Sequence, residues 1–182
     1  GKIRRPVFFT ENQEGKNPHD EIPASMSKLI LEGHVRDGII MAREAGLPEE
    51  VIDFIPSHHG TSLMFSFFHK ALKGARAEGE RPVDDYEFRY EFSRPMTKGT
   101  AILHLAEGCE SAVRSLEEPS PEKVESLVSR IIREKIQDGQ LDHCPLTLKE
   151  IAEVREEFIR ALTGAHHHRV KYPEPEELEK LR

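Results

Sequence analysis

The chain of 182 residues contains no tryptophan, three tyrosines and two cysteines. So few large polar aromatics favour a helical protein over a β-sandwich. Cys109 and Cys144 cannot build a disulfide framework by themselves, so a reducing cytosolic setting is the default expectation. No apolar run approaches the ~20 residues that a membrane-spanning helix requires. The sequence therefore argues against a disulfide-stabilised secreted domain.

The chain also lacks an excess of positive charge. Aspartate and glutamate number 33 against 26 lysines and arginines, which gives a net charge of -7. A nucleic-acid duplex is normally bound by a basic face, so we expect no DNA or RNA duplex as a partner. A small anionic ligand held by metal ions remains open. The length suits a single domain over residues 1–182, and the start at Gly1, without methionine, is consistent with a piece of something longer.

Apolar residues at helical spacing predict roughly six helices and no confident strand, which makes the fold class all-α. Proline in the first turn and serine or threonine caps mark several helix starts. Residues 76–96 are interpreted as a polar loop that its alternating aromatic rings pin to the surface. Residues 166–182 form a polar tail. The predicted helices cover residues 23–46, 48–57, 60–75, 97–116, 120–136 and 147–162.

Two adjacent histidines, His58 and His59, follow a short apolar segment and precede a glycine. Imidazole is the commonest metal ligand in proteins, and neighbouring histidines at a helix end point in different directions. His34 lies in an apolar helix upstream, and Glu107 lies in another, where a buried carboxylate is costly unless it is paired or metal-bound. These four ligands suit iron, manganese or another first-row ion and predict hydrolysis of a phosphodiester. A hydrogen-bonded core histidine at 34 and a surface glutamate at 107 remain alternatives.

Other histidines carry weaker signals. The His-Asp pair at residues 19–20 is better interpreted as a turn in which the aspartate helps to cap the next helix. The histidines at residues 166–168 are taken as native and as a solvated helix end. His69, His104 and His143 support no specific hypothesis.

Longer motifs around these residues resemble the HD-domain phosphohydrolases that are attached to seven-transmembrane receptors. The resemblance covers nearly the whole chain and implies an HD-domain-like helical bundle that is incomplete at its N-terminus. The motifs that carry it lie at residues 1–13, 17–20, 33–38, 53–62, 85–90, 95–98, 110–115 and 138–142.

The PgpH-type members of that family hydrolyse cyclic di-AMP to pApA at a site with two divalent metal ions, usually iron or manganese. The resemblance therefore implies a cyclic dinucleotide as the substrate. It also implies a cytoplasmic domain of a cell-membrane protein that is anchored through an upstream region. Whether the protein forms a homodimer is left open.

The resemblance also assigns roles to particular residues. His34, His58 and His59 take the places of metal ligands, and Glu107 falls where the family commonly has aspartate, so metal geometry there is less certain. Lys2 corresponds to a catalytic lysine near the phosphate.

Thr61, Ser62 and Lys98 are further candidates for substrate contacts. The sequence departs from the family pattern in a second way, which matters more than the glutamate at position 107. The family's first histidine and its true His-Asp dipeptide lie upstream of Gly1, so we expect the parent protein to be the enzyme. This piece alone should bind metal poorly.

Three alternatives remain. An HD-GYP domain, which cleaves cyclic di-GMP, is disfavoured because Gly-Thr-Ser follows the paired histidines and no Gly-Tyr-Pro occurs. A catalytically degenerate HD domain would bind a nucleotide as a signalling sensor. A plain helical adapter would be indicated if His34 folded far from His58 and His59.

Overall fold

The computed structural model describes residues 3–9, 17–78 and 82–165, and these ranges are 68% helical. The prediction of an all-α fold is confirmed. Each of the six predicted helical segments is present, and the second is divided at Asp53. The prediction that the third begins at Gly60 is wrong: it begins at Phe65, because the residues before it form a turn and a bridge from Leu63 to Arg89. The helices are α1 (Ala24–Glu44), α2 (Glu49–Ile52), α3 (Phe54–Ser57), α4 (Phe65–Glu78), α5 (Lys98–Arg114), α6 (Pro121–Gln137) and α7 (Leu148–Ala165). Short 3-10 turns cover Pro6–Phe8, Pro18–Asp20 and Asp85–Phe88.

Side-chain caps fix the starts of the last three helices. The Thr97 hydroxyl accepts from the Thr100 backbone N–H, and the Ser120 hydroxyl accepts from the Lys123 N–H. At the start of α7, the hydroxyl of Thr147 accepts from the Glu150 N–H while the Glu150 carboxylate accepts from the Thr147 N–H. These bonds satisfy backbone donors that the first helical turn leaves without partners. The helix starts read from the sequence therefore have a local physical cause.

The main core lies where α5 packs against α6 and α7. The buried apolar residues of α5 recur every four positions, so they form one stripe that faces α6. Partly buried side chains of α7 cover the outer side of this cluster. The buried members are Ala101, Leu105, Cys109, Val113, Val124, Val128, Ile132 and Leu141. This three-helix frame covers one face of α5, and another face of the helix contacts α3.

The short helix α3 lies between the frame and α1. It contacts α1 on one side and α5 on the other, and α4 packs on α1. The end of α3 therefore lies between two long helices. None of the helices in the described part of the chain combines the length and apolar character that a bilayer crossing requires.

The described part of the connection between α4 and α5, residues 82–97, is a loop with one 3-10 turn, as expected, and two of its rings reach the interior. Phe88 and Tyr90 are buried, whereas Tyr86 is exposed. The loop pairs with the segment after α3, since the Tyr90 N–H donates to the Ser62 carbonyl at 3.0 Å and the Met64 N–H donates to the Phe88 carbonyl at 2.9 Å. This pairing holds Tyr90 against the histidine pair.

The turn predicted at residues 17–20 is also present, but the proposed cap is wrong. The Asn17 side chain accepts from the His19 N–H and starts the 3-10 turn. Helix α1 begins after Pro23, which makes no side-chain cap bond. Lys70 of α4 instead holds this segment by donating to the carbonyls of His19, Asp20 and Ile22.

Candidate metal centre

Three imidazoles that are distant in sequence meet at one point of the fold. His34 projects from the middle of α1, and His58 and His59 directly follow α3. One ring nitrogen from each lies within 4.8 Å of the others, and the Nε2 atoms of His34 and His58 are 3.2 Å apart. The adapter alternative, which required these residues to lie far apart, is therefore disfavoured.

Backbone carbonyls orient two of the three rings. The Nδ1 atom of His34 lies against the Leu31 carbonyl, and the Nδ1 atom of His58 lies against the Ile55 carbonyl. A carbonyl oxygen only accepts, so each Nδ1 carries the proton and each Nε2 presents a lone pair. A backbone carbonyl that accepts from Nδ1 is a usual outer partner of a metal-ligating histidine.

The Nε2 lone pairs of His34 and His58 face each other at a short distance, so they repel unless a cation or a proton lies between them. Imidazole nitrogens bind a divalent ion at about 2.0–2.1 Å, so two ligands of one ion lie roughly 3 Å apart. The Nε2 atoms of His34 and His58 have this spacing, at 3.2 Å. The residues present therefore fit a divalent metal ion.

His59 is held between two other rings. Its imidazole stacks on Tyr90, with ring centroids 4.3 Å apart, and lies 3.9 Å from the His58 ring. Burial, reinforced by the neighbouring His58 and His34, lowers the pKa of His59 to about 2. The ring is therefore neutral near pH 7, and neutral imidazole is the form that binds metal.

Glu107 of α5 lies next to this cluster. Its carboxylate Oε2 is 3.6 Å from the Nδ1 atom of His59, and its side chain is 36% exposed. The carboxylate thus faces the cleft at its rim, outside the group of three converging nitrogens. Its role as a fourth ligand stays a prediction.

The other predicted site residues fall in different places. Ser62 lines the cleft beside the histidines. The Thr61 hydroxyl points away from it and accepts from Arg94 at 2.9 Å. Lys98 pairs with Glu150 at the start of α7 and does not line the cleft. Lys2 lies outside the described residues, as do the histidines at residues 166–168.

A buried polar clamp holds the loop that carries the histidine pair. Gly60 has a φ of 56°, and the wholly buried Gln140 accepts from the Thr61 N–H at 3.0 Å and donates to the Thr61 hydroxyl. Arg94 joins the clamp by donating to the Gly139 carbonyl at 3.2 Å. The sequence indicated a turn around Gly139 but not that its glutamine reaches across the molecule to position this loop.

The histidines open into a cleft of about 660 Å³, a size typical of small-molecule sites. Charged, hydroxyl and aromatic side chains line the cleft, including those of Glu107, Ser111, Arg114, Lys135, Phe8 and Phe65. Sequence reasoning missed most of these residues. A signal existed for Ser111 and Arg114, because positions four and seven residues after Glu107 share its helical face.

An all-α domain in which clustered histidines and a carboxylate line a cleft belongs to the class of helical proteins with a histidine-based metal site. Two solved structures of the HD domain of the phosphodiesterase PgpH from Listeria monocytogenes are similar to this chain, at 35% identity and TM-scores of 0.82 and 0.84. They match 91% and 94% of this chain, and the chain covers 76% and 77% of theirs; the second structure is a complex with cyclic di-AMP. The chain belongs to the PgpH HD-domain family.

Curated relatives agree with the structural matches. The chain is 41% identical over 175 residues to the cyclic-di-AMP phosphodiesterase PgpH of Bacillus subtilis, and 37% identical over 175 residues to that of Listeria monocytogenes. These matches take in 96% of this chain but only 24% of each relative. A scan against protein-family models gave no match.

Proposed function

We propose that this chain supplies the HD domain of a metal-dependent phosphodiesterase that hydrolyses cyclic di-AMP to pApA. The observation that carries the proposal is the convergence of His34, His58 and His59 at a cleft. The similarity to an HD domain solved with cyclic di-AMP supports the choice of substrate.

His34, His58 and His59 would hold the metal, with Glu107 as a neighbouring carboxylate. A divalent ion bound there supplies Lewis acidity towards a phosphate oxygen and lowers the pKa of water. We propose two ions, iron or manganese, from the resemblance to PgpH-type enzymes and from the preference of imidazole and carboxylate ligands for first-row metals.

The chain's own residues also provide binding surfaces for a dinucleotide. Arg114 and Ser111 bring a cation and a hydroxyl to the wall of the cleft, and Phe65, which is 70% exposed, lines it as well. Aromatic side chains offer faces on which nucleobases stack. A cleft with these groups suits an anionic ligand that carries bases.

We propose further that the whole protein is anchored in the cell membrane through a region outside these residues, with the cleft on the cytoplasmic side. The resemblance to receptor-linked HD domains supports this, as does the greater length of the relatives. Dimerisation of the whole protein is a further proposal that gel filtration with light scattering would test.

The experiment is to incubate the intact protein with Mn²⁺ and cyclic di-AMP and to measure pApA, with cyclic di-GMP as the comparison substrate. We expect pApA from cyclic di-AMP and much slower turnover of cyclic di-GMP. Metal analysis of the purified protein would give the identity and number of ions. Absence of pApA despite bound metal would count against the proposed activity.

A second candidate function is a nucleotide sensor without hydrolytic activity. The observation that favours it is Glu107, which stands where the family commonly has aspartate and lies at the rim of the cluster. Tight binding of cyclic di-AMP with no product, in protein that carries its metal, would support the sensor over the enzyme.

A further inference from the structure

Lys135 reaches the cleft from α6, whose three buried residues belong to the core. Its ammonium donates to the Ser62 hydroxyl at 2.6 Å. The side chain passes α5 at Gly108, where a Cβ atom would lie 3.4 Å from the Cε atom of Lys135. The missing side chain at position 108 therefore leaves the lysine a path across α5.

The charge of the Lys135 ammonium acts on two nearby imidazoles. Its charge contributes to lowering the pKa of both His59 and His104. Burial lowers the pKa of Lys135 itself, and Glu107 acts in the opposite direction. Lys135 thus lines the same cleft as the candidate metal ligands.

The hydrogen bonding of this ammonium is incomplete within the described part of the chain. A lysine ammonium has three donors, and here Ser62 is the one recorded acceptor, with no carboxylate at ion-pair distance. A largely buried cation is costly unless further polar partners complete its shell. A phosphate oxygen entering the cleft would be such a partner.

We propose that Lys135 is a phosphate-binding residue of this cleft. Its ammonium donates to a phosphate oxygen of the cyclic dinucleotide, while Ser62 fixes the position of the ammonium. Lysine commonly binds phosphate in this way, as a point charge. The inference rests on the proposed function and adds a substrate contact that the sequence motifs do not indicate.

The test compares the intact, metal-loaded protein with Lys135→Met, Lys135→Arg and Ser62→Ala. Methionine keeps the length of the side chain without its charge. Lys149→Met is the matched control, because Lys149 is an exposed cation on α7 that pairs with Glu153 and does not line the cleft. The measurements are kcat/KM for cyclic di-AMP, its Kd as a function of salt concentration, bound metal and thermal unfolding.

We expect Lys135→Met to lower kcat/KM by about ten- to a hundredfold, the effect of losing one charge-assisted hydrogen bond. Its Kd should also depend less on salt, with bound metal unchanged, and Lys135→Arg should recover part of the loss. Ser62→Ala should reduce kcat/KM in the same direction by a smaller factor. Lys149→Met should change it by no more than about twofold.

Wild-type kcat/KM and salt dependence in Lys135→Met would overturn the inference. If that variant does not fold, Ser62→Ala decides, since an unchanged kcat/KM there would contradict the proposal. If wild-type protein neither binds nor cleaves cyclic di-AMP, the proposed function fails separately. Binding of inorganic phosphate, compared between wild type and the foldable variants, then tests the lysine by itself.

Discussion

At the residue scale, His34 is the ligand candidate that ties α1 to the histidine pair. Replacing it with alanine removes one of three converging nitrogens. We expect His34→Ala to weaken Mn²⁺ binding by at least about tenfold, since even losing an outer partner of a ligand has effects of that size. Titration of metal-free protein with Mn²⁺ measures this, together with the rate of pApA formation.

The matched control for that change is His69→Ala. His69 is an exposed histidine on α4 that stacks on Phe65. Its removal should leave the Mn²⁺ affinity at the wild-type value. Equal losses in the two variants would mean that His34 has no special place in metal binding.

Glu107 allows charge and length to be separated. Glu107→Gln keeps the length and removes the charge beside His59, whereas Glu107→Asp keeps the charge on a shorter side chain. If the carboxylate is a ligand, the glutamine variant should lose at least about tenfold in Mn²⁺ affinity, and the aspartate variant less. Glu153→Gln on the exposed side of α7 serves as the control. Unchanged affinity in Glu107→Gln would remove the glutamate from the site.

The sequence indicated the histidines because they are adjacent to each other or lie in an apolar helix, which are local signals. Lys135, Gln140 and Arg94 give no such signal. Each acts by reaching a different element of the fold, as Lys135 does at Ser62 and Gln140 does at Thr61. Spacing along one helix cannot predict contacts of that kind, because they depend on how the helices pack.

At the scale of elements, the turn after α3 is held in a conformation that suits glycine. Gly60 has a φ of 56°, and a Cβ atom there would lie 2.6 Å from the Gln140 Oε1 atom. We expect Gly60→Ala to lower the free energy of unfolding by about 1–3 kcal/mol, through left-handed strain and displacement of the glutamine. Urea denaturation followed by circular dichroism measures this change.

The control for that change is another glycine, Gly74, within α4. A Cβ atom at Gly74 meets nothing within 4 Å, and its backbone is helical. Gly74→Ala should therefore raise the free energy of unfolding by about 0.5–1 kcal/mol. If both substitutions changed the free energy of unfolding in the same direction, backbone conformation and the clamp would not explain why glycine is required at position 60.

Helix positions were more predictable than helix contacts. Caps such as Ser120 and Thr147 act within one turn, so their sequence signals sufficed. The division between α2 and α3 at Asp53 and the burial of Phe88 and Tyr90 depend on neighbouring elements. Propensity and periodicity do not describe those neighbours.

At the scale of the whole molecule, the fold packs the α5–α7 frame on one side of α3 and α1 on the other. The α5–α7 frame carries Glu107 and Lys135, and α1 carries His34, while the loop after α3 supplies His58 and His59. The cleft therefore exists only when the frame and α1 are both packed on α3. Stability of the fold and assembly of the site are consequently linked.

His104 connects this packing to pH. It is fully buried on α5, and its Nδ1 atom lies 3.1 Å from the Ser57 carbonyl at the end of α3. Burial, aided by the charge of Lys135, lowers the pKa of His104 to about 4. In the unfolded chain the same group titrates near 6.5. Between these values the unfolded state binds more protons than the folded state, so stability falls as the pH drops.

We therefore expect metal-free protein to lose roughly 3 kcal/mol of stability between pH 6.5 and 4 through His104 alone. His59, whose pKa is also lowered by burial, extends the loss to lower pH. Urea unfolding at several pH values measures the slope, and His104→Leu should reduce it in this window whatever its stability at pH 7. In the control His69→Ala the slope should stay at the wild-type value. An unchanged slope in His104→Leu would show that the protonation of His104 does not govern the acid sensitivity of the packed α3.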